Sequence, residues 1–229
     1  SAIAKDPSTY EHIDPALVGN TRIIPMSNQA GQSNLRKRLS DAGLAVAKGD
    51  PALGRILEVV KDREAQGYAY DTAQASFELL ARDVMDQLPH LFEVERYRVT
   101  VERRRNAEGR MVSLSEAVVV VDVDGEKRLS VSESLDEDGA DRGPVNALSK
   151  ALVKDLGKYS SLLDDMRLID FKVRITQGGT EATTRVIIDS EDGQGRRWST
   201  VGVSANILDA SFEALLDAIR WKLIRDRAQ

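Results

Sequence analysis

The chain has 229 residues, enough for one large domain or two small ones. Its 32 Lys and Arg residues against 37 Asp and Glu residues give a net charge of −5, which provides no overall attraction to nucleic acid or to an anionic membrane. Cysteine is absent, which excludes disulfides, thiolate nucleophiles and cysteine metal sites. No apolar run approaches the ~20 residues that cross a bilayer, and Ser1–Pro7 lacks the apolar core of a signal peptide. We therefore expect a cytoplasmic protein that binds neither membrane nor nucleic acid.

The first part of the chain predicts a small helical subdomain. Turn-forming residues dominate roughly the first 30 positions. Apolar residues then recur at helical spacing in three stretches that end before Gly43, Gly67 and Pro89. The stretches are Leu35 to Leu39, Leu53 to Val60 and Asp71 to Leu88. We place the boundary between Pro89 and Glu93, which gives linker subdomains over residues 1–92 and a second domain over residues 93–229.

After this boundary the pattern changes to strands followed by a helix. Three strands are predicted, at the alternating residues Tyr97, Val99 and Val101, over Ala117–Val123, and over Arg128–Val131. The turn Asp124-Gly125 separates the second strand from the third. Pro144 then opens a helix, with proline in its favoured first turn.

The same order recurs toward the end of the chain. Three further strands are predicted over Ile169–Ile175, Ala182–Asp189 and Arg197–Val203. In the first of them, Ile169, Phe171, Val173 and Ile175 share one face, and charged residues lie between them. A long amphipathic helix follows, with apolar residues at helical spacing from Leu208 to Leu223.

The two halves therefore look like copies of one unit. Corresponding residues occur in the same order in both halves. Their separation along the sequence is longer for the pair Tyr97 and Phe171 than for the later pair Val145 and Ile207. We predict an α+β fold with a small helical linker subdomain followed by a tandem βββα repeat. An unrelated run of hairpins and helices is the alternative.

The sequence is poor in catalytic groups. Its histidines, His12 and His90, are far apart, so no histidine pair has metal-ligand spacing. A Walker A motif is absent, and no G-x-G-x-x-G motif lies between a strand and a helix. The residues alone therefore predict no metal, no cofactor and no self-contained active site in this chain.

Several stretches carry a resemblance that covers nearly the whole chain in order. They are Thr9–Asn20, Gln29–Asn34, Gly143–Leu148, Leu168–Ile175 and Thr200–Ser211. The first two resemble the segments that follow the catalytic barrel in the citramalate synthase and 2-isopropylmalate synthase family, and the residues of Gln29–Asn34 are similar to those of the citramalate synthases. The other three are similar to the regulatory domain of that family.

The resemblance implies two βββα units that form an allosteric, dimerising domain preceded by linker subdomains. It also implies a (β/α)8 barrel before Ser1, which would carry a divalent metal and the catalytic residues. We therefore expect a C-terminal region that is inactive alone. Tyr10 matches a linker tyrosine that reaches the active site of the partner subunit; a packing tyrosine is the alternative.

The resemblance further implies an effector site for a branched-chain amino acid. The matching residues are Val145, Asn146, Leu168, Phe171, Ile175, Ala182, Thr184 and Ile207. Such mostly apolar walls suit a branched aliphatic side chain, and a helix N-terminus can receive the carboxylate through its backbone N–H groups. Each residue would also serve as ordinary core. Asn146, where a core would prefer an apolar residue, is the most telling member.

The implied function is feedback control of an acyltransferase that joins acetyl-CoA to pyruvate in isoleucine biosynthesis, with isoleucine as effector. The alternative within the family is 2-isopropylmalate synthase, with leucine as effector. A stand-alone amino-acid-binding or dimerisation module is the alternative from another class.

Overall fold

The computed structural model describes residues 32–136, 143–177 and 182–227. The helices in this part of the chain are α1 (Gln32–Asp41), α2 (Pro51–Ala65), α3 (Gln74–Val84), α4 (Pro144–Lys154) and α5 (Ile207–Arg227). The strands are β1 (Glu93–Arg105), β2 (Met111–Val123), β3 (Glu126–Asp136), β4 (Arg167–Gln177), β5 (Thr183–Glu191) and β6 (Arg197–Ser204). A short 3₁₀ helix, Gly157–Leu162, lies between α4 and β4.

The predicted tandem βββα repeat is confirmed. Strands β1, β2 and β3 form an antiparallel sheet in that order, here called sheet 1, and α4 follows it. Strands β4, β5 and β6 form sheet 2 in the same way, and α5 follows. Helices α1 to α3 precede both units and form the predicted helical subdomain.

Some element ends differ from the predicted ones. Strand β3 continues to Asp136, well beyond Val131, because the hairpin pairing with β2 continues to the pair Ser113 and Asp136. Helix α3 is shorter than predicted and excludes both Asp71 and Leu88. Its end precedes Asp86, whose positive φ of 56° is incompatible with a continuing helix.

Strand β4 contains a bulge that decides which of its side chains share a face. Leu168 pairs with Ser190 and Asp170 with Asp189, so Ile169 is the extra residue without a partner. Beyond the bulge, Phe171 resumes regular pairing. The regular alternation that the sequence predicts from Ile169 therefore begins only at Phe171, and Leu168 takes the preceding position on that face.

The two units share one core. Helix α4 packs on sheet 1, α5 packs on β5 and β6, and the two helices contact each other. Buried residues of both units form a single cluster that includes Val119, Leu148, Ile188 and Leu215. Burial of these apolar faces against each other holds the two units together.

Alternate residues of β6 meet every fourth residue of α5. The pairs are Trp198 with Ala218, Thr200 with Ala214 and Gly202 with Ala210. The first two pairs are side-chain hydrogen bonds to helix carbonyl oxygens, of 3.2 and 2.8 Å. Two strand residues rise about 6.6 Å and four helix residues about 6 Å, so the elements stay in step over this length.

The helical subdomain covers the other face of sheet 2, here called the outer face. A second buried cluster joins Leu35, Ile56 and Phe77 of the subdomain to Val201 of β6. Sheet 2 is therefore packed on both faces, and this packing fixes the orientation of the subdomain that the sequence left open. The boundary at residues 92 and 93 stays a prediction.

Polar contacts tie α3 to α5. Glu78 on α3 is buried and accepts hydrogen bonds from Arg82, from Trp221 Nε1 at 2.8 Å and from Arg225 Nη2 at 2.6 Å. Every oxygen of this carboxylate is thus used, as a buried charge requires.

The free edge of β6 is closed by side chains of α3 and α5. Ser76 Oγ accepts from Val201 N at 3.0 Å and donates to Asp217 at 2.6 Å. Glu213 accepts from Val203 N at 3.0 Å. These bonds satisfy amides that an edge strand would otherwise present to another chain. Among the described residues, no helix is long and apolar enough to cross a membrane.

The contact at Gly202 gives a first prediction. A Cβ at this position would overlap the carbonyl oxygen of Ala210 and lie 2.9 Å from Ala214 N. We expect Gly202→Ala to lower the free energy of unfolding by at least about 2 kcal/mol through overpacking. Gly54 in α2 has nothing within 4 Å of its Cβ position, so Gly54→Ala should raise that free energy by about 0.5 kcal/mol. Urea denaturation of both variants measures the contrast, and equal effects would contradict it.

The contact between Asp217 on α5 and Ser76 on α3 predicts that the stability of the fold depends on pH. Burial, opposed by the Ser76 hydrogen bond and assisted by the nearby Glu213, raises the pKa of Asp217 from 3.8 to about 7. The folded chain thus holds a proton that the unfolded chain releases, so this contribution is present below pH ~4 and is lost as the pH rises to about 7. We expect the free energy of unfolding to fall between pH 5 and pH 8 by on the order of 2 kcal/mol more in the wild type than in Asp217→Asn. If the free energy of unfolding, measured by urea denaturation, depends on pH in the same way in both proteins, the raised pKa of Asp217 is contradicted.

Candidate functional site

The effector residues predicted on sheet 2 lie on its inner face, which α5 packs against. Phe171 lies opposite the buried Ile188, and Ile175 lies opposite Thr184. Side chains of directly paired residues point to the same face, and the bulge adds Leu168 to this set. The structure therefore brings Leu168, Phe171, Ile175 and Thr184 onto one surface. Ala182 is partly buried and precedes β5 directly.

Helix α5 leaves most of this surface uncovered. It lies over β5 and β6, whereas β4 forms the edge of the sheet. Leu168 and Phe171 are partly buried against the shared core. Farther along the strand the exposed fraction reaches 41% at Val173 and 71% at Ile175. The inner face of β4 is thus a row of apolar side chains that becomes steadily more exposed.

The two helix starts differ in how their first turns are capped. Gly143 precedes α4 in an extended conformation and has no side chain that could cap that helix. At the start of α5, Asn206 Oδ1 accepts a hydrogen bond from Leu208 N at 2.9 Å. Asn206 therefore already uses the amide that a ligand carboxylate would take, so the α4 start is better suited to receive an anion.

The helix residues predicted for the effector site flank these starts. Val145 is partly buried against the shared core, and Asn146 is partly buried beside it. Ile207 begins α5 and is 44% exposed. Two of these side chains are apolar and one is an amide, which are the kinds of group that a small amphiphilic ligand needs.

The predicted set is too long for one small ligand within one chain. Leu168 and Ile175 lie roughly 20 Å apart along β4, at the usual rise of an extended strand. A free amino acid is far shorter than that span. Either a subset of these residues contacts the ligand, or two copies of the surface contribute different parts of it.

Sequence reasoning missed an aromatic contact between the units. The rings of Tyr97 on β1 and Phe212 on α5 stack with centroids 4.3 Å apart, and the Tyr97 hydroxyl bonds to Asp209. Burial, together with that hydrogen bond to the carboxylate, raises the pKa of Tyr97 above its usual range. The sequence shows both rings on apolar faces but gives no signal that they meet.

It also missed a group of basic residues on the outer face of sheet 2. Lys172 and Arg174 alternate with the apolar residues of β4, and Arg185 lies directly opposite Arg174 on β5. The alternation of charges between Phe171 and Ile175 was the available signal. Without the position of the helical subdomain, it indicates only a solvated strand face.

Other sequence predictions find no test here. Tyr10 and His12 lie outside the described residues. Within the described ranges, no group of three or more His, Cys, Asp or Glu side chains has a geometry that could hold a metal ion.

Two family models match the chain. The model described as "LeuA allosteric (dimerisation) domain" matches residues 71–223. The model described as "Homocitrate synthase post-HMGL domain-like" matches residues 1–67. Together they cover the described fold and the segment before it.

Known relatives align over nearly the whole chain. An (R)-citramalate synthase of Synechocystis sp. is 43% identical over 97% of the chain and 40% of its own length. An (R)-citramalate synthase of Aquifex aeolicus is 39% identical over 100% of the chain and 42% of its own length. A 2-isopropylmalate synthase of Methanocaldococcus jannaschii is 29% identical over 92% of the chain and 37% of its own length. The chain therefore spans about two fifths of the length of the curated relatives it matches.

Proposed function

Because the chain belongs to the LeuA allosteric (dimerisation) domain family, we propose that it is the C-terminal regulatory region of a citramalate synthase-like acyltransferase. In this role it forms a homodimer and binds isoleucine as a feedback effector. The whole enzyme joins acetyl-CoA to pyruvate, using a divalent metal in a barrel that this chain does not contain. The identities of 43% and 39% to two citramalate synthases support this choice over 29% to a 2-isopropylmalate synthase.

The observation that carries the proposal is the uncovered inner face of β4. It holds three of the predicted effector residues, Leu168, Phe171 and Ile175, on one surface. A row of exposed apolar side chains is unfavourable in water and marks a surface for association or ligand binding. A second copy of the chain, packed against this face, encloses the row and supplies the second half of a pocket.

Enclosure between two copies accounts for the length of the predicted set. In a twofold dimer each surface packs against the same surface of the other chain. One ligand can then contact one end of β4 from the first chain and the opposite end of β4 from the second. Each pocket then holds a part of the set, with an apolar wall from β4 and the start of α4, preceded by Gly143, for the carboxylate.

Feedback requires that the effector prefer one state of the enzyme. Isoleucine must bind the less active state more tightly, with a coupling of typically ~1–3 kcal/mol. A pocket between two subunits meets this requirement, because a change in subunit packing alters both halves of the pocket at once. Tyr10, in the segment before the described residues, is proposed to reach the active site of the partner subunit.

The second candidate is the same region of a 2-isopropylmalate synthase, with leucine as effector. The match to the Methanocaldococcus jannaschii enzyme supports it, at lower identity. The pocket chemistry is the same in both cases, since leucine and isoleucine differ only in where the side chain branches. The effector that binds therefore separates the two candidates.

The dimer is tested by placing a charge on the uncovered face. We expect Ile175→Asp to weaken self-association by about 100-fold or more, because the carboxylate loses water in the interface. The matched control is Leu129→Asp, since Leu129 is 60% exposed but lies on sheet 1. Sedimentation velocity at micromolar concentration should show a dimer for the wild type and the control. A monomeric wild type, or equal effects of both substitutions, would contradict the proposal.

The effector is tested by calorimetric titration of the chain with isoleucine, leucine and valine. We expect saturable binding that prefers isoleucine and weakens at least about tenfold in Phe171→Ala and in Asn146→Ala, since each removes a wall of the pocket. Leu129→Ala should bind as the wild type does, and circular dichroism verifies that each variant is folded. A preference for leucine selects the second candidate, and no saturable binding of any of the three contradicts an effector role.

A further inference from the structure

A cavity of about 910 Å³ lies between the helical subdomain and the outer face of sheet 2. Its walls come from α1, from residues 69–72, from α3, from all three strands of sheet 2 and from the end of α5. Lys172 and Arg174 contribute from β4, on the face opposite to Phe171 and Ile175. The cavity, here called the basic cleft, is therefore separate from the proposed effector pocket.

The lining of the basic cleft is cationic in a chain whose net charge is −5. Seven Lys and Arg side chains line it, against four Asp and Glu side chains. Two of those carboxylates are already engaged. Glu78 accepts bonds from α3 and α5 as described above, and Asp189 accepts from Lys172 at 2.9 Å and from Ser199. The acids of the cleft thus neutralise only part of its positive charge.

Three arginines, Arg38, Arg174 and Arg185, carry most of the excess positive charge of the cleft. Arg174 and Arg185 lie directly opposite each other on β4 and β5, an arrangement of like charges that destabilises a sheet. Arg38 faces the cleft from α1. Within residues 32–136, 143–177 and 182–227, none of the three lies within ion-pair distance of a carboxylate. Asp71 attracts Arg38 and Arg185 from beyond ion-pair distance, so the fold keeps a cluster of like charges that its own side chains relieve only in part.

The guanidinium groups are held in place by other means. Arg38 Nη2 donates to the Tyr70 carbonyl at 2.6 Å, and the guanidinium lies 4.2 Å over the centre of the Phe77 ring. Arg185 Nε donates to the Gly67 carbonyl. Neutral carbonyls and a ring fix the orientation of these groups without cancelling their charge.

Buried N–H groups in the cleft have bonding capacity to spare. Arg38 Nη1 and Arg225 Nε are both buried, and neither has a hydrogen-bond partner among the described residues. Burial lowers the pKa of Arg38 and of Arg185, since loss of water disfavours their charged forms. An anion in the cleft would restore favourable interactions to the charges that burial has removed from water.

We propose that the basic cleft binds a small molecule that carries at least two phosphate groups. The planar fork of guanidinium matches the oxygens of phosphate in a bidentate way, and several negative charges are needed to balance three arginines. A single carboxylate supplies one charge. The volume suits a molecule of nucleotide size. The rings of Phe77 and Trp221 are covered by Arg38 and Arg225, so the phosphates rather than a stacked base carry recognition.

The proposal is tested by calorimetric titration of the chain with pyrophosphate and with ATP at constant ionic strength. We expect saturable binding of both probes, with an affinity at least tenfold lower in Arg174→Gln. Arg174 makes no hydrogen bond or ion pair within the described residues, so Arg174→Gln should leave the unliganded chain at least as stable as the wild type. A structural role of Arg174 would instead lower that stability, which would overturn the proposal.

The matched control is Arg98→Gln, because Arg98 is an exposed strand arginine on sheet 1, far from the cleft. It should bind both probes as the wild type does. Equal loss in the two variants, equal binding of citrate or sulfate, or no binding of either phosphate probe overturns the proposal. The last result would leave the cleft as a contact for an acidic protein surface. Isoleucine binding in Arg174→Gln should match the wild type, so the outcome here is independent of the effector site.

Discussion

The approach of α5 to β6 is the contact on which the rest of the arrangement depends. Gly202 lets the helix backbone come closer than any side chain would allow. On the same strand, the side chains of Trp198 and Thr200 donate hydrogen bonds to carbonyl oxygens of the helix. This contact commits α5 to one side of sheet 2. A helix is about 10 Å wide and strands lie about 4.8 Å apart, so a helix centred over β5 and β6 cannot also cover β4. The uncovered strand is a geometric consequence of the contact.

The same contact determines where the helical subdomain sits. With α5 beside β6, Glu213 and Asp217 lie next to the free edge of that strand, where Ser76 of α3 joins them. The subdomain is thereby drawn onto the outer face of sheet 2, and the basic cleft forms where its α1 and α3 stand over β4 and β5. In the part of the chain that the structure describes, sheet 1 has no such neighbour. Its edge strand β1 instead receives Phe212 from α5 against Tyr97.

The sequence predicts the order of the elements well, because each depends on local pattern. Helix α2 follows from its apolar spacing, and the structure adds that Asp50 caps its start. The bulge at Ile169 was not predictable, since alternation continues through it and only pairing with β5 reveals the extra residue. Nor could the sequence tell Val186, which is buried, from Val173, which is 41% exposed, since both lie on alternating apolar faces. That difference depends on which strands one helix covers.

Strand β4 presents two different chemistries on its two faces, both near the edge of the sheet. Apolar side chains from Phe171 to Ile175 face the uncovered inner side, and Lys172 and Arg174 between them face the basic cleft. Because the same eleven-residue strand forms a wall of each site, any ligand that shifts β4 relative to α5 changes the geometry of both. Thermodynamic linkage then requires the effect to be reciprocal, so that an anion that alters effector affinity has its own affinity altered by the effector in equal measure. A single edge strand, left uncovered by one close helix contact, thereby links the two proposed sites.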